Sequence, residues 1–221
     1  MAEQIDTGTD ELLATLQAGV LTLTMNRPEA RNSLTGKMTR ALAAQLDDAE
    51  LNTDVRCVVL TGAGKGFCAG GDVKGMAARR DDAETTGGAV KDTIDEAVHR
   101  QRIDQRATAG KLYSMPKPTI AVLPGAAAGA GLSLALACDM RIMASTAIMT
   151  TAFATVGFSG DYGGTFFMSQ LVGTAKARQV YWVAERVSAH GALGLGVTNW
   201  GCQPDALTAN AAELAVWLAT G

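Results

Sequence analysis

Two stretches of this 221-residue chain combine glycine and alanine with almost no reactive side chains: GKGFCAGGDVKGM (Gly64–Met76) and PGAAAGAGLSLALACD (Pro124–Asp139). Three glycine chemistries can be tested on them, and each fails. A phosphate-cradling GxxxxGK[ST] loop needs a hydroxyl after its lysine; TGAGKGF has the wrong spacing and a phenylalanine there. A dinucleotide fingerprint, GxGxxG, finds only its first pair in GAGLSL. A nucleophile elbow, GxSxG, is missed by one residue in GFSGD, and neither His99 nor His190 lies in a motif that would bring it near. What remains is the main chain itself. Glycine and alanine let a substrate carbonyl approach closely, and a helix N-terminus offers free N–H groups with a positive partial charge. One donor from each loop would make an oxyanion hole, suited to a thioester whose α-carbon becomes an enolate. The same glycines equally serve tight helix–strand packing, and composition alone leaves both readings open.

The elements that must carry these loops follow from periodicity. LLATLQAGVLTLTMN (12–26) alternates around Ala18-Gly19, which predicts a hairpin ended by Pro28. SLTGKMTRALAAQLDDAE has helical spacing, with Met38, Leu42 and Leu46 on one stripe. VRCVVLTG (55–62) and PTIAVLPG (118–125) read as buried strands, each running into a glycine loop. Residues 77–111 read as a mobile loop leading into a helix that ends before MPKP. DMRIMAS reads as a third strand. YGGTFFMSQLVG, TAKARQVYWVAE and SAHGALGLG read as three short helices, and DALTANAAELAVWLATG as a last one. Strand–loop–helix alternation predicts an α/β protein with ligands at the carboxyl ends of strands, where both loops fall.

Composition narrows the field. Hydrophobic residues make up 48% and charged residues 19%, with a net charge of −3 and no basic run, so nucleic acid is not an expected partner. The polar, acidic N-terminus has no signal-peptide core, and the longest apolar stretch is broken by Pro124 and its glycines, so no membrane association is expected. The four cysteines, Cys57, Cys68, Cys138 and Cys202, lack metal-ligand spacing and read as reduced thiols of a cytoplasmic protein, with no metal site. The length suits a single domain over 1–221, with its core over about 12–200 and the start of a C-terminal helical region over 201–221.

Four segments in order, NRPEARNSLTGKM, VVLTGAGKGFCAGGDVKGM, PKPTIAVLPGAAAGAGLSLALACDMRIMA and TVGFSGDYGGTFFMSQLVGTAKARQVYWVAERVSA, resemble the successive signatures of the enoyl-CoA hydratase/isomerase (crotonase) family. The resemblance covers about residues 12–218. It implies a spiral of β-β-α turns, a homotrimer or dimer of trimers, and acyl-CoA chemistry of fatty acid metabolism, of the lyase or isomerase kind. Coenzyme A would enter as part of the thioester substrate, with no separate cofactor. The family's oxyanion donors correspond to the amides of Gly71 and Ala130. Its coenzyme A-contacting segments correspond to Ala30-Arg31-Asn32 and Ala69-Gly70-Gly71-Asp72-Val73.

The chain departs from the family where hydratases keep their two glutamates: Ser133 and Phe153 stand there. Neither serine nor phenylalanine can shuttle a proton near neutral pH. One carboxylate remains in a family position, Asp161 in VGFSGDYGGTFF, where isomerase relatives carry an aspartate and aryl-CoA dehalogenases a nucleophile. The resemblance thus implies a double-bond isomerase with Asp161 as base. Hydration, thioester hydrolysis or dehalogenation is the alternative, and a non-catalytic acyl-CoA-binding relative is a third. Read without the family, Asp161 precedes a helix and would serve as its N-cap, worth about 1 kcal/mol. Asp72 and Asp139 read as structural, Lys65 and Lys74 as candidates for coenzyme A phosphates, and His99 and His190 as surface residues. Relatives continue beyond the position of Gly221, so the C-terminal helical region is expected to be shortened. Gly191 stands where they carry a capping-box glutamate.

Overall fold

The structure is a computed structural model, and it describes residues 2–72 and 93–221. Two sheets organise it. The larger has seven strands in the order β1 (Glu3–Ile5), β2 (Leu12–Gln17), β3 (Val20–Met25), β4 (Cys57–Gly62), β6 (Thr119–Leu123), β8 (Met140–Ala144) and β11 (Trp200–Cys202). The smaller has four: β10 (Val187–Ser188), β9 (Ile148–Thr150), β7 (Ala126–Ala128) and β5 (Gly66–Cys68). The β2–β3 pair is the expected hairpin, in register from Leu12 opposite Met25 to Gln17 opposite Val20, with Ala18 and Gly19 both at positive φ in its turn. From β3 onward the large sheet is parallel.

The parallel strands are nearly continuous apolar runs because both faces are covered; all five residues of β6 are buried. The same turn of chain is built repeatedly. A long strand crosses the large sheet, a short strand joins the small one, and a helix returns. β6 and β7 lead into helix 130–137, and β8 and β9 into helix 164–183. The first turn uses one residue as its short strand: Leu34, between β3 and helix α1 (Gly36–Leu51), makes an isolated parallel bridge with Gly71. This is the α/β alternation of β-β-α units expected from the sequence.

Helix α1 starts at Thr35, whose hydroxyl accepts from the Met38 amide at 3.1 Å, and buries the Met38, Leu42, Leu46 stripe. Helix α2 (Ile94–Gln105) opens on a full capping box between Thr93 and Glu96, then passes through a π-type turn over Arg106–Gly110 into α3 (Lys111–Ser114), ending before Met115 as expected. The loop expected over 77–92 lies outside the described residues. All eight residues of α4 (Ala130–Ala137) are buried, so this helix is apolar all round and runs through the core. The two helices expected over 162–185 are joined into α5 (Gly164–Val183), which breaks its regular backbone at Gly173, with φ 76° and ψ 162°. Helix α6 (Ala189–Gly194) keeps half a capping box, Ser188 Oγ accepting from the Gly191 amide at 3.1 Å, and α7 (Leu207–Thr220) closes the described chain.

Asp139 has the structural role expected of it. Its Oδ2 accepts from both the amide and the hydroxyl of Thr119 at 2.8 Å, tying the starts of β6 and β8 together. Cys57, Cys68 and Cys138 are buried free thiols, and burial pushes Cys68 and Cys138 up to about 12, far from reactivity. No helix among the described residues is long and apolar enough to cross a membrane.

Candidate active site

The site is assembled from three backbone segments and one carboxyl. The segment around Arg31 and Leu34 lies alongside 69–72: the Ala69 amide donates to Arg31 O at 3.0 Å, the Leu34 amide to Gly70 O at 2.8 Å, and the Asp72 amide to Leu34 O at 3.1 Å. Residues 30–32 and 69–72, separate in sequence, are thereby neighbours. A parallel bridge uses the groups flanking its central residue, so the N–H of Gly71 is directed to the opposite side from Leu34.

Asn32 fixes this arrangement. It is fully buried in the left-handed region, its Oδ1 accepts from the Arg27 amide, and its Nδ2 donates to Ala63 O and Gly66 O, each bond being 2.9 Å. The side chain of Arg27 adds a second tie. Its guanidinium donates to Ser33 and lies 3.3 Å from Asp72 Oδ2. The Asp72 carboxylate thus ties its loop to Arg27 by a side-chain contact, where a bond to loop backbone was expected of it. Arg31 is exposed beside this segment, Ala30 half-buried, and Lys65 exposed; Val73 and Lys74 lie outside the described residues.

The two glycine loops meet. Gly70 has φ +93°, and a Cβ placed there would stand 3.0 Å from Ala128 O and 3.4 Å from the Ala130 nitrogen. Only glycine gives both that backbone and that approach. Ala130 is the first residue of α4, so its amide has no intrahelical acceptor. Behind it, a Cβ on Gly131 would fall 2.6 Å from Cys68, which locks the helix start against the strand end. Gly71 and Ala130, expected as a pair from separate loops, are thus carried on segments in direct contact.

Asp161 is joined to the same helix. One turn into α4, the wholly buried Ser133 donates its hydroxyl to Asp161 O at 3.0 Å and also lies 3.3 Å from Gly129 O. Ser133 Oγ and the Tyr181 hydroxyl both crowd the position a Cβ on Gly164 would take, and the Tyr181 ring is stacked on Phe153, with centroids 6.2 Å apart and planes at 7°. Ser133 and Phe153, the positions the resemblance matches to hydratase glutamates, thus both lie against one tyrosine. Gly164 completes the fit, since a Cβ there would overlap Ser133 Oγ and Tyr181.

The N-cap reading of Asp161 does not describe this geometry. The cap of α5 is Gly163, with no side-chain cap bond. The Asp161 carboxyl instead accepts from Gln101 Nε2 of α2 at 3.2 Å through Oδ2, while its Oδ1 is buried with no hydrogen-bond partner among the described residues. Burial pushes its pKa from the ordinary 3.8 up to about 6, the Gln101 hydrogen bond acting in the opposite direction. A carboxyl balanced there can take and return a proton near neutral pH. Tyr162 beside it is held at φ 51°, buried, its phenol pushed up to about 12 by desolvation. His99 and His190 are exposed and away from this chemistry.

Sequence reasoning did not find Gln101 or Tyr181, and it placed Asn32 in the coenzyme A-contacting segment without finding its structural role. Gln101 lies 60 residues from Asp161 in an otherwise polar helix, and nothing in its spacing marks it. Asn32 carried a local signal, an asparagine in a turn-forming NRPEARNS run, which is the residue type that tolerates positive φ.

Comparison with known proteins agrees with this geometry. The Enoyl-CoA hydratase/isomerase family profile matches residues 15–221. The 1,2-epoxyphenylacetyl-CoA isomerase of Escherichia coli is 35% identical over 209 residues, covering 95% of this chain and 76% of that protein. A short-chain-enoyl-CoA hydratase of Clostridium acetobutylicum is 32% identical over 197 residues, covering 89% and 70%. Among solved structures, an enoyl-CoA hydratase from Polaromonas superposes with a TM-score of 0.82 at 33% identity, covering 94% of this chain and 77% of that one. From its motifs, its β-β-α turns and these matches together, the chain belongs to the enoyl-CoA hydratase/isomerase (crotonase) family.

Proposed function

We propose that this protein isomerises an unsaturated acyl-CoA, moving a double bond through an enolate, with Asp161 as the base. The observation that carries the reading is the Asp161 carboxyl: one buried, unpartnered oxygen and a pKa of about 6, in a site whose two hydratase acid positions hold Ser133 and Phe153. In this reading the thioester carbonyl oxygen accepts from the amides of Gly71 and Ala130. Each donor is worth about 2.7–4 kcal/mol to the transition state. Asp161 removes a proton from C2 of a β,γ-unsaturated thioester, the electron pair delocalises into a dienolate, and the same carboxyl returns the proton to C4. One base therefore suffices, and no water is consumed.

Coenzyme A would lie along Ala30, Arg31, Ala69, Gly70 and Asp72, with Val73 beyond them. Relatives named as an isomerase and as a hydratase match at similar identity, so the choice between the two reactions rests on the residues of the site. A cytoplasmic homotrimer or dimer of trimers belongs to the same proposal.

The test offers the purified protein β,γ- and α,β-unsaturated acyl-CoA esters and follows products by mass and retention time. A product of unchanged mass and altered retention, lost in Asp161→Asn, is the expected result. A product heavier by one water would overturn the inference from Ser133 and Phe153. Tight ester binding without any product would favour the non-catalytic reading.

A further inference from the structure

The side chain that reaches the Asp161 carboxyl comes from the outside of the molecule. Helix α2 has no buried residue, and its start and end are fixed locally, by the Thr93–Glu96 capping box and by Thr108 Oγ1 donating to Asp104 O at 2.7 Å. Midway along it, Gln101 Nε2 donates to Asp161 Oδ2 at 3.2 Å. The backbone of Asp161 is held separately, its carbonyl accepting from Ser133 Oγ at 3.0 Å and from the Gly164 amide at 3.1 Å. The bonds to the carbonyl hold the backbone but leave both side-chain torsions free, and the Gln101 bond to Oδ2 is what restrains them. The unpartnered Oδ1 is then turned one way.

We infer that Gln101 is a positioning residue: its amide holds Oδ2 of Asp161 so that Oδ1 is the oxygen presented for proton transfer. This rests on Asp161 being the base. The residue type fits the task. Glutamine donates a hydrogen bond to the ionised carboxylate without carrying a charge, so it orients the group yet leaves it basic. A lysine or arginine there would hold the carboxylate ionised and weaken it as a base, and a glutamate would repel it.

The other titratable groups around Asp161 come from four elements. Tyr181 of α5 and Tyr162 ahead of it are both neutral phenols raised by burial, and Cys68, the last residue of β5, is a neutral thiol acting on Tyr162. Asp104, one turn further along α2, is a second carboxyl raised by desolvation, with Arg40 of α1 and Arg100 of α2 acting on it. Asp104→Asn is therefore the background in which Asp161 is followed alone.

The experiment measures two things on Gln101→Leu, Gln101→Asn and Gln101→Arg: the pH profile of kcat/KM, and the titration of Asp161 by carbon-13 NMR of labelled aspartate, with Asp161→Asn identifying the signal. Loss of the donor in the leucine variant, or its shortening in the asparagine variant, should raise the midpoint by roughly half a unit to one unit in both readouts. Turnover should fall several-fold, and Gln101→Arg should bring the midpoint back to or below that of the original protein. A loss of activity with an unmoved Asp161 titration would overturn the positioning role, because a merely structural glutamine would behave so. A titration that moves while Asp161→Asn keeps full turnover would overturn the underlying assignment of the base, and with it the purpose of the positioning.

Discussion

The site has two halves built on opposite principles. The glycine-loop half, residues 30–34, 69–72 and 129–131, is all main chain, held by a parallel bridge, the buried Asn32 and two close approaches at Gly70 and Gly131. The acid half, residues 151–165, is side chains on a tightly turned loop in which Ala152, Gly157, Gly160, Tyr162 and Gly163 all have positive φ. The first half offers mostly main-chain groups, and backbone position is insensitive to most side-chain change. The second can be rewritten by single substitutions, and under the proposed reading Phe153 within it and Ser133, packed against it from α4, are such changes. The difference teaches that a shared binding frame says little about which bond is made or broken. Reaction type is decided by the few carboxyls set against that frame.

The largest effect expected from breaking the acid half is on turnover in Asp161→Asn. General base catalysis contributes roughly a hundredfold to ten-thousandfold, and the amide cannot take the proton, so kcat should fall by that factor. Acyl-CoA binding, measured by calorimetry, should stay within a few-fold, since that substitution leaves the other half intact. Equal losses in binding and turnover would show that the halves are not separable.

The counterpart in the backbone half is Gly70→Ala. The new Cβ meets Ala128 O at 3.0 Å and the Ala130 nitrogen at 3.4 Å, and φ +93° strains any L side chain. Stability should drop by roughly 1–2 kcal/mol, and turnover by about a hundredfold through displacement of an oxyanion donor. Gly66→Ala, where a Cβ would meet nothing within 4 Å, is the control and should change little in either chemical denaturation or turnover.

These two substitutions also mark what could be read from sequence. The hairpin, the buried strands before each glycine loop and the helix stripe of Met38, Leu42 and Leu46 were legible because each repeats over several residues. The small sheet was not. Its strands are two or three residues long, GFC, AAA, IMT and VS, too short to show a period and lying inside stretches that read as loops. In the site, the ordered family motifs pointed to segments that do lie together, those of Gly71 and Ala130, with Asp161 tied to the helix that Ala130 begins; the roles of the three residues are the proposal. Gln101 and Tyr181 were not legible, because they act by long-range contact from helices whose own pattern gives no sign of it. Asp161 as an N-cap was a sound local reading that tertiary structure overrode: Gly163 caps the helix, and the carboxyl turns to α2.

The pH dependence sharpens the comparison further, because only the acid half titrates near neutrality. With Asp161 at about 6, kcat/KM should rise about tenfold per pH unit below 6 and level off above it, and the limb should vanish with Asp161→Asn. Stability should move the other way. The folded state keeps its proton up to about 6 whereas the unfolded carboxyl loses it near 3.8, so the folded state binds more protons in that window and stability declines as pH rises through it. Asp161→Asn should therefore stabilise the fold at pH 7–8, by about 1–2 kcal/mol once solvent access to the carboxyl is allowed for. It should give no gain at pH 3. Thermal melts at both pH values check this, and an unchanged difference between them would mean the carboxyl is solvated in the folded state.

The smallest expected effect concerns the residue that replaced a hydratase acid. Ser133 donates to the Asp161 carbonyl at 3.0 Å and shares the space beside Gly164 with the Tyr181 hydroxyl, whose ring is stacked on Phe153. Ser133→Ala and Tyr181→Phe should each cost about 1 kcal/mol of stability, and together less than their sum, since each removes a neighbour of the other. Turnover should fall only a few-fold in either, with the pH limb in place, because both act on the backbone of Asp161 and not on its carboxyl. A double-mutant cycle in denaturant reads the coupling. Strict additivity would mean that the pair merely fills space. Positive coupling would mean that Ser133 and Tyr181 act together as a strut for the backbone that carries the Asp161 carboxyl.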